Sequence, residues 1–419
     1  MHTTRRVTFR LCPNRQQSAK LHYWRRLHAS LYNAAVANRK TQYRRFKHSV
    51  DYYEQQNCLP AFKQVWPEYV ELGSHALQNT LKRVDIAFQR FFKGLSKHPK
   101  FKASRRYKGW TYPDIAGWKV SNTGSNGSLE LSNLGGSIKM RGQARTWGTP
   151  STCTVFWQRN NWYASITVKC EPVRTTSMGA VGIDLGCETA VTLWDGEAVK
   201  EVENPRYLGK TQKRIAKASK KLRRLRKPEY KKKIKASNRW KKQNFKVSKL
   251  KTKAANQREN WRHQVTTEIV SRNSLVSCEE LNIKAMTKKP KKGSKRKRQK
   301  SGLNRSILDV GMGAVMSCLE YKLQEAGGFL VKVPTRKIKP SQTCPKCHYQ
   351  KKKQLKERQH VCEKCGYSIG RDVASAQICF DYATTGLGAL SGCAWSQQLY
   401  CHCLWRVAAT VGEETRNFV

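Results

Sequence analysis

Four cysteines in the C-terminal part of the chain form two closely spaced pairs. They read Cys344-Pro-Lys-Cys347 and, 14 residues later, Cys362-Glu-Lys-Cys365. Two such pairs can place four thiolates tetrahedrally around Zn²⁺, whereas one pair alone would equally suit redox chemistry. The lysine-rich segment between them is too poor in apolar residues to fold alone, so metal binding would supply its folding energy, roughly 10–16 kcal/mol in small zinc peptides. We predict a structural zinc ribbon with no open catalytic position.

The charge of the chain indicates the kind of partner it binds. Its 419 residues include 82 Lys+Arg against 28 Asp+Glu, a formal net charge of +54. Such a surplus repels itself unless a polyanion neutralises it. The 12 Trp and 16 Tyr suit base stacking beside phosphate contacts. We expect nucleic acid as the partner; a solvated basic surface or an anionic membrane is the alternative.

Composition also excludes several classes of protein. No apolar run reaches the roughly 18 residues of a membrane span, and the basic N-terminus lacks an apolar signal-peptide stretch. An odd count of 15 cysteines argues against a disulfide framework. We therefore expect a cytoplasmic protein of two to four domains that neither crosses a membrane nor is secreted.

Hydrophobic periodicity divides the N-terminal part into a helical region and a small β unit. We predict that strand 4–12 joins this β unit, with the helical region inserted between them. The predicted helices are 15–57 and 74–95, and the predicted strands of the β unit are 128–131, 137–141, 153–159 and 162–170.

The C-terminal part begins with two predicted strands over 180–200, followed by a very basic segment. Residues 209–258 hold 22 Lys+Arg and one acid. Their helical pattern breaks near Pro228 and favours two helices along a phosphate backbone over a merely solvated face. The candidate contacts are Arg223, Arg224, Arg226, Lys231, Lys232, Lys241 and Lys242. Beyond them we predict a mobile loop over 287–305, a helix over 306–326 and a buried strand over 329–333.

Three carboxylates stand in unusual surroundings. Asp184 lies in the apolar strand Val181-Gly-Ile-Asp-Leu-Gly186, Glu279 ends another apolar strand, and Asp372 opens a helix after the cysteine pairs. A buried acid must be paired or bind a metal, and three converging acids would hold Mg²⁺ through oxygen ligands. Two such ions can promote phosphodiester hydrolysis. The alternative, three unrelated acids paired with the basic surplus, is left open by the spacing alone.

The order of these motifs resembles the TnpB family of transposon-encoded, RNA-guided nucleases related to type V CRISPR effectors. The resemblance runs from about residue 4 to about 383. It rests on Gly-Ile-Asp-Leu-Gly, on Glu-Glu-Leu-Asn-Ile-Lys-Ala-Met, on the ribbon with its Lys-Ile-Lys-Pro-Ser-Gln-Thr entry, and on Arg-Asp-Val-Ala-Ser-Ala. It implies that Asp184, Glu279 and Asp372 are the three RuvC acids, with Glu280 ranked below Glu279.

The resemblance also implies an α/β protein with a small β-barrel and a helical domain. Its RuvC nuclease domain has an RNase H-like fold with an inserted zinc ribbon. A wedge-like N-terminal β-barrel is interrupted by a helical recognition domain. The implied boundaries are 1–13 with 105–175 for the barrel, 14–104 for the recognition domain, 176–337 with 370–383 for RuvC, 338–369 for the ribbon and 384–419 for the tail.

The implied activity is Mg²⁺-dependent, RNA-guided cleavage of double-stranded DNA beside a short adjacent motif. The implied partners are a guide RNA from the transposon end and target DNA, and we expect a monomer in a bacterial cytoplasm, on the nucleoid when bound. Sequence choice would be delegated to base pairing. Gln78 is a candidate reader of an adenine edge, with a solvent-exposed glutamine as the alternative.

Other interpretations stay open. The family often has Asp where this chain has Gly370 and Asn where it has Ala374, so a guided DNA-binding repressor that does not cut is one alternative. A compact type V CRISPR effector is another. The tail matches no motif, and we expect a frayed or loosely packed terminus. Its alternative reading is metal ligation by Cys393, Cys401, His402 and Cys403.

Overall fold

The structure is a computed structural model that describes residues 3–121, 124–229, 234–290, 293, 296–354 and 357–385. The chain divides into two compact units, Met1–Pro172 and Val173–Val419. No helix in these described ranges is long and apolar enough to cross a membrane. The predictions for Lys231, Lys232 and the cysteines and histidine of the tail lie outside the described residues.

The first unit combines helices with one antiparallel sheet, and its elements follow in chain order. They are β1 (Thr3–Cys12), α1 (Arg15–Phe46), α2 (Tyr52–Asn57), α3 (Leu59–Val65), α4 (Ser74–Phe92), β2 (Gly109–Tyr112), β3 (Trp118–Ser121), β4 (Ser128–Leu131), β5 (Ser137–Arg141), β6 (Thr149–Gln158) and β7 (Asn161–Cys170). The strand order β2-β6-β7-β1-β5-β4-β3 forms a half-barrel. Strand β1 pairs with both β7 and β5, which confirms that strand 4–12 joins the β unit.

Two details of the first unit differ from the sequence prediction. The predicted helix 15–57 is interrupted, because α1 ends at Lys47 in a left-handed conformation and Asp51 caps a separate α2. Strands β2 and β3 were not predicted, since four residues are too few to show an alternating pattern. Both complete the sheet edges, where Trp110 and Trp118 are buried in the same core as Trp24 of α1.

The second unit is built on a mixed sheet flanked by helices. Its elements are β8 (Gly179–Asp184), β9 (Thr189–Trp194), β10 (Val199–Glu203), α5 (Tyr207–Arg223), α6 (Asn238–Arg272), β11 (Asn273–Glu279), α7 (Ile283–Met286), α8 (Lys297–Val310), α9 (Met312–Ala326), β12 (Phe329–Val333), α10 (Thr335–Ile338), β13 (Gln359–Val361), β14 (Ser368–Gly370) and α11 (Arg371–Thr384). The order β10-β9-β8-β11-β12 is antiparallel on the β10 side and parallel from β8 to β12.

Three predictions for this unit are wrong in part. The segment 287–305 is not loop throughout, because α8 begins at Lys297 and buries Ile307 and Val310 one turn apart on the core. The predicted helix 306–326 is broken at Gly311, whose φ of 73° ends α8 and starts α9. Strand β12 is only half-buried over most of its length.

Close packing of α11 on β8 depends on one glycine. A Cβ added at Gly182 would lie 2.1 Å from the backbone oxygen of Ala376 and 2.6 Å from the backbone nitrogen of Phe380. Any side chain at this position would therefore push α11 off the sheet. This contact holds the start of α11 close to the end of β8.

Candidate active site and metal centre

Asp184 and Glu279 end neighbouring parallel strands. Strand β8 pairs with β11 in a register that sets Ile183 opposite Cys278, so the two acids that follow lie at the same edge of the sheet. Glu279 is half-buried, whereas the adjacent Glu280 is exposed. Successive side chains of a strand face opposite sides, and only Glu279 shares a partner with Asp184.

That shared partner is Ser375, which lies one turn after Asp372 in α11. Its hydroxyl oxygen is 3.0 Å from Asp184 Oδ1 and 3.4 Å from Glu279 Oε1. Ser375 is almost fully buried, with 1% of its surface exposed. The serine thus links both strand ends to the helix, and Asp372 comes into the same site from the first turn of α11.

The surroundings of the acids raise the pKa of two of them. Burial raises the pKa of Asp184 to about 7, with further contributions from the charges of Glu279 and Asp372, while the Ser375 hydrogen bond opposes them. Burial also raises the pKa of Glu279, and Ser375 again opposes it. The pKa of Asp184 therefore responds to both other carboxylates, as expected for three acids that belong to one site.

Two arginines contact the third acid. Arg371 Nη2 is 3.4 Å from Asp372 Oδ1, and Arg358 Nη1 is 4.0 Å from Asp372 Oδ2. Arg358 lies just before β13 of the ribbon segment and also reaches Glu188 of the β8–β9 loop at 3.0 Å. The backbone holds the two arginines together, since the Arg371 N–H donates to the Arg358 carbonyl at 2.8 Å.

The sequence pattern does not single out Ser375, Arg358 or Arg371 as parts of this site. Ser375 belongs to the Arg-Asp-Val-Ala-Ser-Ala motif. It follows Asp372 by three residues, and residues three apart lie on the same face of a helix, so this spacing could have indicated that Ser375 is part of the site. Arg358 carries no such signal, because it is one cation among many in a basic segment.

The four predicted zinc ligands come together. The Sγ atoms of Cys344, Cys347, Cys362 and Cys365 all lie within 4.8 Å of one another. The Cys365 backbone N–H, together with that of Lys364, stabilises the Cys362 thiolate and lowers its pKa to about 6. Four thiolate donors fit one tetrahedral zinc ion with no position left for a substrate.

The three acids offer a different set of donor atoms from the cysteines. Within the described ranges, the four cysteines form the group of candidate ligands whose donor atoms all lie within 4.8 Å of one another, and the acids are not part of that group. Their oxygen donors nevertheless suit Mg²⁺, and the clustered negative charge at Asp184 is what a divalent cation would neutralise.

Most of the predicted nucleic-acid contacts lie on two basic helices and on the segment that follows the first of them. Exposed cations from α5, from its C-cap and from α6 line a groove of about 990 Å³ between the two helices, and these are Arg214, Lys217, Lys220, Lys221, Arg224 and Lys246. Of the predicted contacts, Arg224 lines this groove, and Arg223, Arg226, Lys241 and Lys242 are exposed nearby on the same segment. Gln78 lies half-buried in the first half of α4.

Two family models match this chain, one over the first two acids and the other over the cysteines and the third acid. A family model described as a probable transposase, OrfB_IS605, matches residues 164–290, which contain Asp184 and Glu279. A model described as the Cas12f1-like TNB domain matches residues 313–378, which contain the four cysteines and Asp372.

Two curated relatives are similar over most of their length. One is the "Putative RNA-guided DNA endonuclease InsQ" of Escherichia coli K12, 29% identical over 88% of this chain and 90% of the relative. The other is a "Putative RNA-guided DNA endonuclease" of Streptomyces pristinaespiralis, 28% identical over 89% and 88%.

The fold is also shared with a solved structure. The cryo-EM structure of a Cas12f1–sgRNA–target DNA complex contains a chain that is 12% identical, with a TM-score of 0.58 over 90% of this chain and 98% of that chain. The family models, the two relatives and the shared fold agree with the motif order and support a TnpB-family protein.

Proposed function

We propose that this protein is a transposon-derived, RNA-guided endonuclease that cuts double-stranded DNA beside a short adjacent motif. The observation that carries the proposal is the meeting of Asp184, Glu279 and Asp372 at one sheet edge. The names of the two relatives support a guide RNA and target DNA as partners. We propose a monomer that takes its guide from the transposon end.

In this proposal Asp184, Glu279 and Asp372 would hold Mg²⁺ ions through their carboxylate oxygens. When bound, such ions would activate water and stabilise the leaving oxygen of the phosphodiester. Ser375 would hold Asp184 and Glu279 in position before the ions arrive.

Arg358 and Arg371 have a separate role in this proposal. Both guanidinium groups lie beside Asp372, where a DNA phosphate would enter. Arginine binds phosphate through two parallel hydrogen bonds. We therefore assign Arg358 and Arg371 to orienting the target strand. The zinc ribbon supplies Arg358 to the site, so its structural role and the nuclease activity are connected.

A plasmid cleavage assay tests this function. The protein is expressed with its flanking DNA, purified with the RNA it carries, and given a target beside a randomised sequence in Mg²⁺. Wild type should cut, Asp184→Asn and Glu279→Gln should lose cutting by more than a hundredfold, and both should keep the RNA. Glu280→Gln is the matched control because its carboxylate is exposed beside Glu279.

The possible outcomes separate the parts of the proposal. Full cutting by Asp184→Asn would reject the assigned site. Guided target binding without cutting by wild type would identify a DNA-binding repressor. Purified protein without RNA and without guided binding would reject the guided function altogether.

A further inference from the structure

One end of the helical region exposes several large rings. Tyr43, Phe92 and Phe101 keep 61%, 71% and 57% of their surface exposed, and Phe46 and Leu95 are similarly exposed. Single exposed apolar residues are common, but a group of them in one place marks a contact surface. Rings this exposed contribute little to the core of the first unit.

Some of these rings border a cleft between the C-terminal ends of α1 and α4. The cleft measures about 420 Å³, and its lining includes Arg39, Lys40, Tyr43, Phe88, Phe91 and Phe92. Phe88 is buried, with 7% of its surface exposed, and forms an apolar base. His98 packs edge-on against Phe91, with the ring centroids 5.0 Å apart, and fixes one wall. This volume is in the range of small-molecule sites. We call this space the aromatic cleft.

The positive charge around the aromatic cleft favours a negatively charged ligand. Lys40 Nζ lies 4.7 Å from the centroid of the Phe101 ring, and Lys47 Nζ lies 5.8 Å from that of Tyr43. The sequence has no acidic residue before Asp51 and none between Asp85 and Asp114. Two copies of this surface would repel each other, whereas a phosphate-bearing chain would be attracted.

We propose that the aromatic cleft binds an unpaired nucleobase, stacked on Tyr43 and Phe92, with Lys40 and Lys47 at the flanking phosphates. Stacking on exposed rings beside cations is how proteins hold single-stranded nucleic acid without reading its sequence. The inference rests on the proposed function only in taking nucleic acid as the partner. The base comes either from an unpaired part of the guide RNA or from an opened DNA strand.

Photo-crosslinking distinguishes these two sources. In one arm the protein is purified from cells fed thiouridine, so that its own RNA carries the photoreactive base. In the other arm, RNA-bound protein receives target DNA with iodouracil in one strand. Crosslinked peptides are then mapped by mass spectrometry. We expect a crosslink at Tyr43 or Phe92 in one arm, and the arm that reacts identifies the source.

Variants give a second, quantitative readout. Phe92→Ala should reduce binding of a single-stranded oligonucleotide of the reactive type about tenfold to a hundredfold, while Phe92→Trp should retain it. The loss should persist in high salt, because stacking is screened less than phosphate contacts. Trp66→Ala is the matched control, since Trp66 is 51% exposed in the same unit and lies outside the cleft. Thermal melting checks that each variant folds.

Three results would overturn the inference. They are crosslinks in both arms that avoid the aromatic cleft, an unchanged affinity in folded Phe92→Ala, and a loss of self-association in Phe92→Ala without nucleic acid. Guided cutting by a protein that shows one of these results would leave the nuclease function intact. Crosslinking at Tyr43 in a protein that never cuts would support the cleft and reject the nuclease.

Discussion

The hydroxyl of Ser375 donates to Asp184 Oδ1 at 3.0 Å, across 191 residues of sequence. The same hydroxyl oxygen lies 3.4 Å from Glu279 Oε1. A serine in the middle of a helix often bonds its own backbone instead. Here it orders two carboxylates that repel each other.

We predict that Ser375→Ala weakens metal binding more than it slows catalysis. Without the hydroxyl, Asp184 and Glu279 lose the donor that orders them, so half-saturating Mg²⁺ should rise severalfold while the rate at saturating Mg²⁺ falls less. Calorimetric titration with Mn²⁺ measures the affinity independently of cutting. Ser317→Ala is the control, because Ser317 bonds only a helix carbonyl in the described contacts. An unchanged affinity in folded Ser375→Ala would contradict this role.

We predict one zinc ion per chain and a dependence of cutting on it. A strong chelator should unfold the ribbon segment, lower the melting temperature and release Arg358 from Asp372, so cutting should fall and recover when zinc is returned. Metal analysis should show that Cys362→Ser loses zinc. Cys318→Ser should keep it, because Cys318 is half-buried in α9, outside the cluster. Zinc-free protein with unchanged melting would refute the prediction.

We predict that the two cations on Asp85 contribute very differently to stability. Arg39 and Asp85 are both buried, and both terminal nitrogens of Arg39 lie 3.3 Å from Asp85 Oδ1, whereas Lys82 is 44% exposed at 3.5 Å from Oδ2. Arg39→Ala leaves the buried Asp85 carboxylate without its buried cation and should lower the free energy of unfolding by about 3–5 kcal/mol. Lys82→Ala should cost less than about 1 kcal/mol. Denaturant unfolding measures both, and equal costs would contradict the assignment.

We predict that His28 makes the first unit less stable in mild acid. His28 is fully buried, stacks on Trp110 and lies with Nδ1 2.8 Å from Thr80 Oγ1. Because Thr80 Oγ1 donates to the Ala76 carbonyl, it accepts from His28 Nδ1–H. Burial lowers the pKa of His28 to about 3, with a further contribution from Arg83.

The direction of this pH dependence follows from proton binding. Between pH 6.5 and 3 the unfolded chain holds a proton on this imidazole that the folded chain lacks, so stability falls as pH falls. From pH 7 to 5 the loss should be about 2 kcal/mol. Urea unfolding of His28→Gln should show a pH dependence smaller by that amount. His48→Gln is the control because His48 is exposed, and equal pH dependence in wild type and His28→Gln would reject the prediction.

The sequence alone predicted a cysteine ribbon, singled out the three acids as candidates and predicted most of the strands and helices. The cysteine pairs are local motifs, and a tetrahedral site needs only their spacing. The acids were recognisable because carboxylates are rare in apolar strands of a chain with this charge. Long segments such as α4 were predictable because their apolar residues recur with the helical period. Four-residue strands are too short to show a pattern, and the break at Gly311 was not predicted.

Only the tertiary structure decided what surrounds the acids. Ser375, Arg358 and Arg371 reach them because Gly182 lets α11 pack against β8 and because the ribbon segment folds back to the β8–β9 loop. The raised pKa of Asp184 has the same origin, since burial and like charges act through space between residues far apart in sequence. The aromatic cleft likewise exists only where α1 and α4 end side by side, at Phe46 and Phe92.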